Sequence, residues 1–171
     1  SLLKSLDNTV SPMGGRLLKR WIILPLLDMA RINERLDLTE FFIKDTDLRN
    51  IITQHIKHCG DVERLVSKVP LKKINPREVK QVARGLHHIA EIRKLGLAAN
   101  NPYLKRLADA FNPCEFIREK IQQEIIENPP VHSTKGGLIS KGINAELDDL
   151  RLIATTGTEY LLLLQQKDTE R

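Results

Sequence analysis

The sequence predicts an all-α fold, a multi-helix body followed by a long C-terminal helix, with at most a small irregular hairpin near residues 131–142. Three observations predict it. Apolar residues recur every three or four positions through most of the chain, the spacing that lines one face of a helix. Ser11, Asn75 and Asn101 are each followed by proline, so a capping side chain precedes a first-turn residue whose φ is already helical. The only stretch of turn-rich composition, 131–142, holds three glycines.

The elements follow in order. From Ser11 and Pro12, the residues Leu17, Leu18, Trp21 and Ile22 form one apolar face, and Pro25 ends that helix. A second helix is expected from about Asp28 to Lys44, with Ile32, Leu36 and Ile43 on its inner side. A third runs through Leu48, Ile51, Ile52, His55 and Ile56 until Gly60 stops it. Asp61 caps a short helix carrying Val62, Leu65, Val66 and Val69, which Pro70 closes. After Asn75 and Pro76 a long helix turns Val79, Val82, Leu86 and Ile89 inward and reaches the 96–101 region. Asn101 and Pro102 start a short helix with Leu104, Leu107 and Phe111. Ile117, Ile121 and Ile125 mark another, ending at Pro129 and Pro130. Gly137, Leu138, Ile139 and Ser140 are the one plausible extended piece. The last helix starts at Asn144 and carries Leu147, Leu150, Ala154, Gly157, Leu161 and Leu164 at alternating spacings of three and four, a seam that calls for a partner helix.

Composition narrows the function classes. The 171 residues, 41% hydrophobic, suffice for one domain with a real core. Ser1 stands where a start methionine would, and Lys167 to Arg171 closes without a Gly or Pro terminator, so both ends read as cut from a longer protein. Cys59 and Cys114 are too few for a disulfide framework and no secretory signal opens the chain, which points to a reducing cytoplasm. No apolar run approaches the roughly 20 residues that span a bilayer. Lys plus Arg number 27 against 22 Asp plus Glu, a net charge of +5. The signs are interspersed and aromatics are scarce, so no base-stacking platform is present and a solvated mixed-charge surface is the reading.

No residue is assigned a catalytic, cofactor-binding or metal-ligating role. His55, His58 and Cys59 share a helix face, but no fourth ligand accompanies them and His55 falls on an apolar stripe, so core packing accounts for them. His87 and His88 are adjacent and point to different sides. Ser133, Thr134, Lys135 and Gly136 hold the letters of a phosphate loop in the wrong order and spacing. Glu146, Asp148 and Asp149 lie in the first turn of the last helix, where the helix dipole favours negative charge. Gly14 and Gly15 each cost roughly 1 kcal/mol relative to alanine, which implies close packing. Arg16, Lys19 and Arg20 lie opposite the Leu17 stripe, on a solvated face or at a domain contact.

Taken together these residues resemble a known family. Leu6 and Asp7, the run Ser11-Pro12-Met13-Gly14-Gly15-Arg16-Leu17-Leu18 to Trp21, then Pro25-Leu26-Leu27-Asp28 and Arg35-Leu36-Asp37, are similar to the opening of the core, or lever, domain of MutS-type DNA mismatch-repair proteins. Gly60-Asp61-Val62-Glu63-Arg64-Leu65 and Pro76-Arg77-Glu78 resemble later elements of that domain in the same order. Gly136-Gly137-Leu138-Ile139 with Gly142, Asn144 and Glu146-Leu147-Asp148 resembles the turn into its long helix. The resemblance covers essentially the whole chain.

It implies residues 1–143 as a helical core body and 144–171 as a lever helix leading toward the clamp. The implied role is non-catalytic: coupling the ATPase state of a longer parent to its grip on mismatched double-stranded DNA. ATP and Mg would belong to that parent, as would the homodimer partner, and other domains of the same chain would be neighbours. Two readings compete. One is an independent helical protein–protein adaptor using the last helix, the other a small DNA-binding module using Arg16, Lys19 and Arg20. The segment alone is expected to bind no ATP, to bind DNA weakly without regard to mismatch, and to self-associate through Leu161 and Leu164.

Overall fold

The computed structural model describes residues 2–169, and of Lys135 and residues 158–169 it describes the backbone alone. Among the described residues the regular structure is helical, apart from a single antiparallel bridge between Ile125 and Ile139. A short α1, Leu2–Leu6, precedes α2, Pro12–Ile23. Then follow α3 (Met29–Lys44), α4 (Thr46–Cys59), α5 (Val62–Val66) and the long α6 (Pro76–Ala98). Finally come α7 (Pro102–Asp109), α8 (Glu115–Glu124), a 3-10 turn at Ser133–Lys135 and α9 (Ala145–Thr169).

The caps read from the sequence are made. Ser11 Oγ accepts from the Gly14 N–H at 3.1 Å, and Asn101 Oδ1 accepts from the Leu104 N–H at 2.8 Å. Asn75 and Glu78 form a reciprocal capping box, each side chain accepting from the other's N–H at 3.0 Å. Asp28, Asp45 and Asp61 cap α3, α4 and α5 with carboxylates that accept from first-turn N–H groups, without a reciprocal bond. Gly60 ends α4 with φ +67°, a left-handed conformation that a Cβ disfavours.

Helix α6 is the axis of the body, packing against α4, α5, α7 and α8. The core consists of Ile52 and Cys59 of α4, Val82, Ala83 and Leu86 of α6, Ala99, and Leu104 and Ala108 of α7. Leu86 and Leu104 are 9% and 7% exposed, and burying each contributes about 1.5–3 kcal/mol. Two glycines set how close the helices come. A Cβ on Gly85 would collide with Val62 Cγ2 and lie 2.8 Å from the Cys59 carbonyl oxygen, and one on Gly96 would lie 2.7 Å from Ala108 Cβ.

Several expectations need correction. Of the inner side expected for α3, Leu36 and Ile43 are 60% and 64% exposed, because α3 packs mainly on α4 and α7 and not along the α6 axis. Leu24, Leu27 and Phe116 are also exposed, at 64%, 91% and 77%, so apolar surface is left open well before α9. Helix α5 stops at Val66 and continues as turns to Lys72, rather than reaching Val69. Helix α8 ends at Glu124, ahead of Pro129 and Pro130, because the chain goes over to extended pairing. Ser140 N–H donates to the Glu124 carbonyl at 2.7 Å and Ile126 N–H to that of Leu138 at 3.1 Å. That pairing closes a small irregular hairpin, with Leu138–Ser140 in the expected 131–142 stretch and the other side, Glu124–Ile126, ahead of it. On α9, Leu150 is 57% exposed, while the side chains of Leu161 and Leu164 lie outside what is described.

Candidate functional site

The most specific polar constellation joins two of the sequence motifs. Asp7 closes a turn by accepting from the Thr9 N–H at 3.0 Å and the Thr9 hydroxyl at 2.7 Å, bonds that hold its carboxyl below the usual range. This turn lies on the start of α2, where a Cβ on Gly15 would stand 3.3 Å from Thr9 Oγ1. The glycines thus admit the chain's own preceding turn, and not a second helix.

One residue on, Arg16 reaches across to the cap of α5. Its Nη1 and Nη2 donate to the two carboxylate oxygens of Asp61 at 2.9 and 2.7 Å. Nη2 and Nε also donate to Glu63 Oε2, at 2.6 and 3.2 Å. Such a planar fork on a carboxylate is both directional and charge-assisted. The bond to Arg16 is the chief reason the Asp61 carboxyl is held below its ordinary value, while Asp61 and Glu63 together push the guanidinium upward. Asp61 also caps α5 through the Arg64 N–H at 3.3 Å. A second link binds α2 to α3, with the Arg35 guanidinium stacked 3.6 Å from the centre of the Trp21 ring. Arg106 of α7 pairs with Glu34 of α3 at 2.6 Å.

Of the three basic residues considered for DNA contact, Arg16 is therefore engaged within the chain. Lys19 and Arg20 are exposed on α2. The histidines come together in a way the sequence did not disclose: His55 of α4 and His88 of α6 hydrogen-bond through their Nδ1 atoms at 3.0 Å. His58 is turned to its own helix, its Nδ1–H donating to the Gln54 carbonyl at 2.7 Å. Cys59 is buried, its Sγ 3.7 Å from the Gly85 carbonyl, and burial pushes its thiol up to about 11. Among the described residues no group of three or more His, Cys, Asp or Glu side chains is arranged to hold a metal ion.

Around the hairpin, Asp148 accepts from the Gly142 N–H at 2.6 Å and pairs with Arg151 at 3.0 Å. Arg151 donates to the Ile139 carbonyl at 2.8 Å, and Asn144 caps the helix through the Leu147 N–H at 2.9 Å. The acidic first turn thus anchors α9 to the hairpin. Ser133, Thr134 and Lys135 form a 3-10 turn. Sequence reasoning missed Gly85 and two anchors of α6 on the 125–130 segment: buried Lys80 to Glu127 at 3.2 Å and Arg77 Nε–H to the Pro129 carbonyl at 2.9 Å. A glycine within a run of good helix formers was the available signal.

The segments that lock together are the ones that resemble a family, and the whole sequence bears this out. Residues 1–168 match the family described as MutS domain III. The chain belongs to the MutS family. It is 46% identical over 170 residues to the DNA mismatch repair protein MutS of Phocaeicola vulgatus, and 44% identical over 170 residues to that of Bacteroides fragilis. It is 44% identical over 171 residues to that of Christiangramia forsetii. Each match takes in 99–100% of this chain and 20% of the relative. This MutS domain III segment thus spans about a fifth of the length of its relatives. Within it the Ser11–Trp21 and Gly60–Leu65 motifs meet through Arg16 and Asp61. Among the described residues, no helix of the chain is long and apolar enough to cross a membrane.

Proposed function

We propose that this chain is the first part of the lever of a longer DNA mismatch repair protein, a non-catalytic segment that couples the ATPase state of the whole protein to its hold on mismatched duplex DNA. ATP and Mg would be bound by other parts of the parent, which would act as a homodimer in the cytoplasm. Residues 1–143 form the body and 144–171 the arm directed toward the DNA clamp. Coupling over a distance needs an element that moves as a unit and is biased at both ends. The observation that carries the reading is the Arg16–Asp61 fork, which fastens α2 to the α5 cap and so to α6, the axis on which α4, α7 and α8 also pack.

The test uses the full-length protein carrying Arg16→Met or Asp61→Asn. Basal ATP hydrolysis and nucleotide-free affinity for mismatched duplex stay unchanged, while ATP-triggered release of that duplex slows. If release keeps its normal rate in both variants, the joint does not transmit nucleotide state and the reading fails.

A further inference from the structure

The imidazoles gathered at the α4–α6 seam have no part in the proposed coupling. His88 is half-buried on α6, with three other rings around it. His55 and His58 of α4 lie 5.3 and 5.4 Å away between ring centres, and His87 lies 5.4 Å away on α6 itself. The one hydrogen bond across the seam within this group is the Nδ1–Nδ1 contact of His55 and His88 at 3.0 Å.

Two imidazole nitrogens can share that bond only if one carries hydrogen and the other does not. A first added proton is tolerated, because it can enter at the far nitrogen of the donor ring and leave the bond a charge-assisted one. A second proton has to land on the accepting Nδ1. It destroys the bond and sets two cations face to face across the seam.

The surroundings offer little to offset that charge. From α4, His58 adds a titratable ring whose Nδ1 is already committed to Gln54. Beside His88 on α6 stand His87, Arg84 and Glu91, and Glu91 alone of these is acidic. Asp61, at the start of α5, borders the same 350 Å³ hollow as His58, Cys59, Arg84 and His88, but its carboxylate is taken by Arg16. Burial first, then the neighbouring imidazoles, lower the affinity of His88 for a proton.

We propose that the α4–α6 seam carries a proton-sensitive contact, the His55–His88 hydrogen bond, which is kept while at most one of the two rings is charged and loosens this part of the seam when both are. Sign follows from geometry. The folded seam excludes the second proton and the unfolded chain accepts it, so the contribution of the pair is complete above the ordinary imidazole value and declines as pH falls below it. The seam lies one turn from Gly85, where α6 meets the Cys59 carbonyl, so opening it loosens a close contact of α6 with the end of α4.

Hydrogen–deuterium exchange on the full-length protein tests this, with α4 and α6 peptides followed at about pH 7.5 and about pH 5.5, either side of the ordinary histidine value, after correction for intrinsic exchange. Protection in α4 and α6 falls several-fold at the lower pH while α7 and α8 change little. His88→Gln or His55→Gln abolishes the difference, each alone being sufficient should the other fail to fold. His132→Gln, at a histidine outside the cluster, preserves it. A loss shared equally by all helices, or one that persists in a glutamine variant, overturns the proposal.

Discussion

Arg16 holds Asp61, 45 positions further along the chain, by both terminal nitrogens of its guanidinium, at 2.9 and 2.7 Å. The pair is open to water, with side chains 41% and 18% exposed, so its effect on stability is small and belongs to the geometry more than to the charge. Arg16→Met removes the bonds to both Asp61 and Glu63, whereas Asp61→Asn weakens only one of them. In thermal unfolding followed by circular dichroism, Arg16→Met lowers Tm by about one to two degrees and Asp61→Asn by less. The double variant matches Arg16→Met closely, because the interaction left to Asp61, its cap on the Arg64 N–H, is one that asparagine also makes. The Asp61 carboxyl in the folded chain lies below its ordinary value of 3.8. Its contribution is therefore present above that value and lost as pH falls through the lowered one, and the gap between wild type and Arg16→Met closes in acid. A gap that widens in acid would contradict the pairing.

Much of this architecture was legible because helix starts are written locally. The Ser11-Pro12, Asn75-Pro76 and Asn101-Pro102 pairs each act within three residues of themselves, and each caps its helix as read. Burial is a different matter. Leu36 and Ile43 lie on a stripe that periodicity marks as inner, yet they are exposed because no neighbour is packed there. Nothing local to the stripe encodes that. The same limit hid the His55–His88 contact, whose partners are 33 residues apart and become neighbours only through the α4–α6 packing. Arg16 was read as facing solvent or a domain contact, and its partners turned out to be the cap and first turn of α5. The early end of α8 has a similar origin, since Ile125 leaves the helix to pair with Ile139, 14 positions away.

The two thiols differ in a way that reagents can read. Cys59 is buried against the Gly85 carbonyl and its thiol is pushed up to about 11, so at neutral pH almost none of it is the reactive thiolate. Cys114 is partly exposed. A disulfide reagent added to the folded chain at neutral pH titrates one thiol quickly, identified by peptide mapping as Cys114, and the second only in denaturant. Fast native labelling of Cys59 would mean that α4 and α6 separate far more readily than their packing implies.

Glycine-to-alanine substitutions give opposite results at different places in the same fold, and the sign in each case follows from what the new methyl group meets. In an open helix the change is favourable by about 0.8–1 kcal/mol, because alanine is the better helix former. Gly157 on α9 is such a site, with nothing within 4 Å of the added carbon, so Gly157→Ala stabilises the helix. At Gly85 the added carbon meets the β-branched Val62 side chain and the Cys59 carbonyl at 2.8 Å, and neither can rotate aside as a long flexible side chain would. Forcing such a group into a packed contact costs about 1–3 kcal/mol, which exceeds the helix gain. Gly96 is intermediate, because the obstacle is the Ala108 methyl at 2.7 Å on α7, a short helix that can shift. Urea unfolding thus ranks the variants Gly157→Ala above wild type, Gly96→Ala below it and Gly85→Ala lowest. Gly85→Ala should also raise the thiol reactivity of Cys59, since α6 can admit the methyl only by moving away from the end of α4. A Gly85→Ala variant as stable as wild type would mean that α4 and α6 do not approach as closely as the core packing requires.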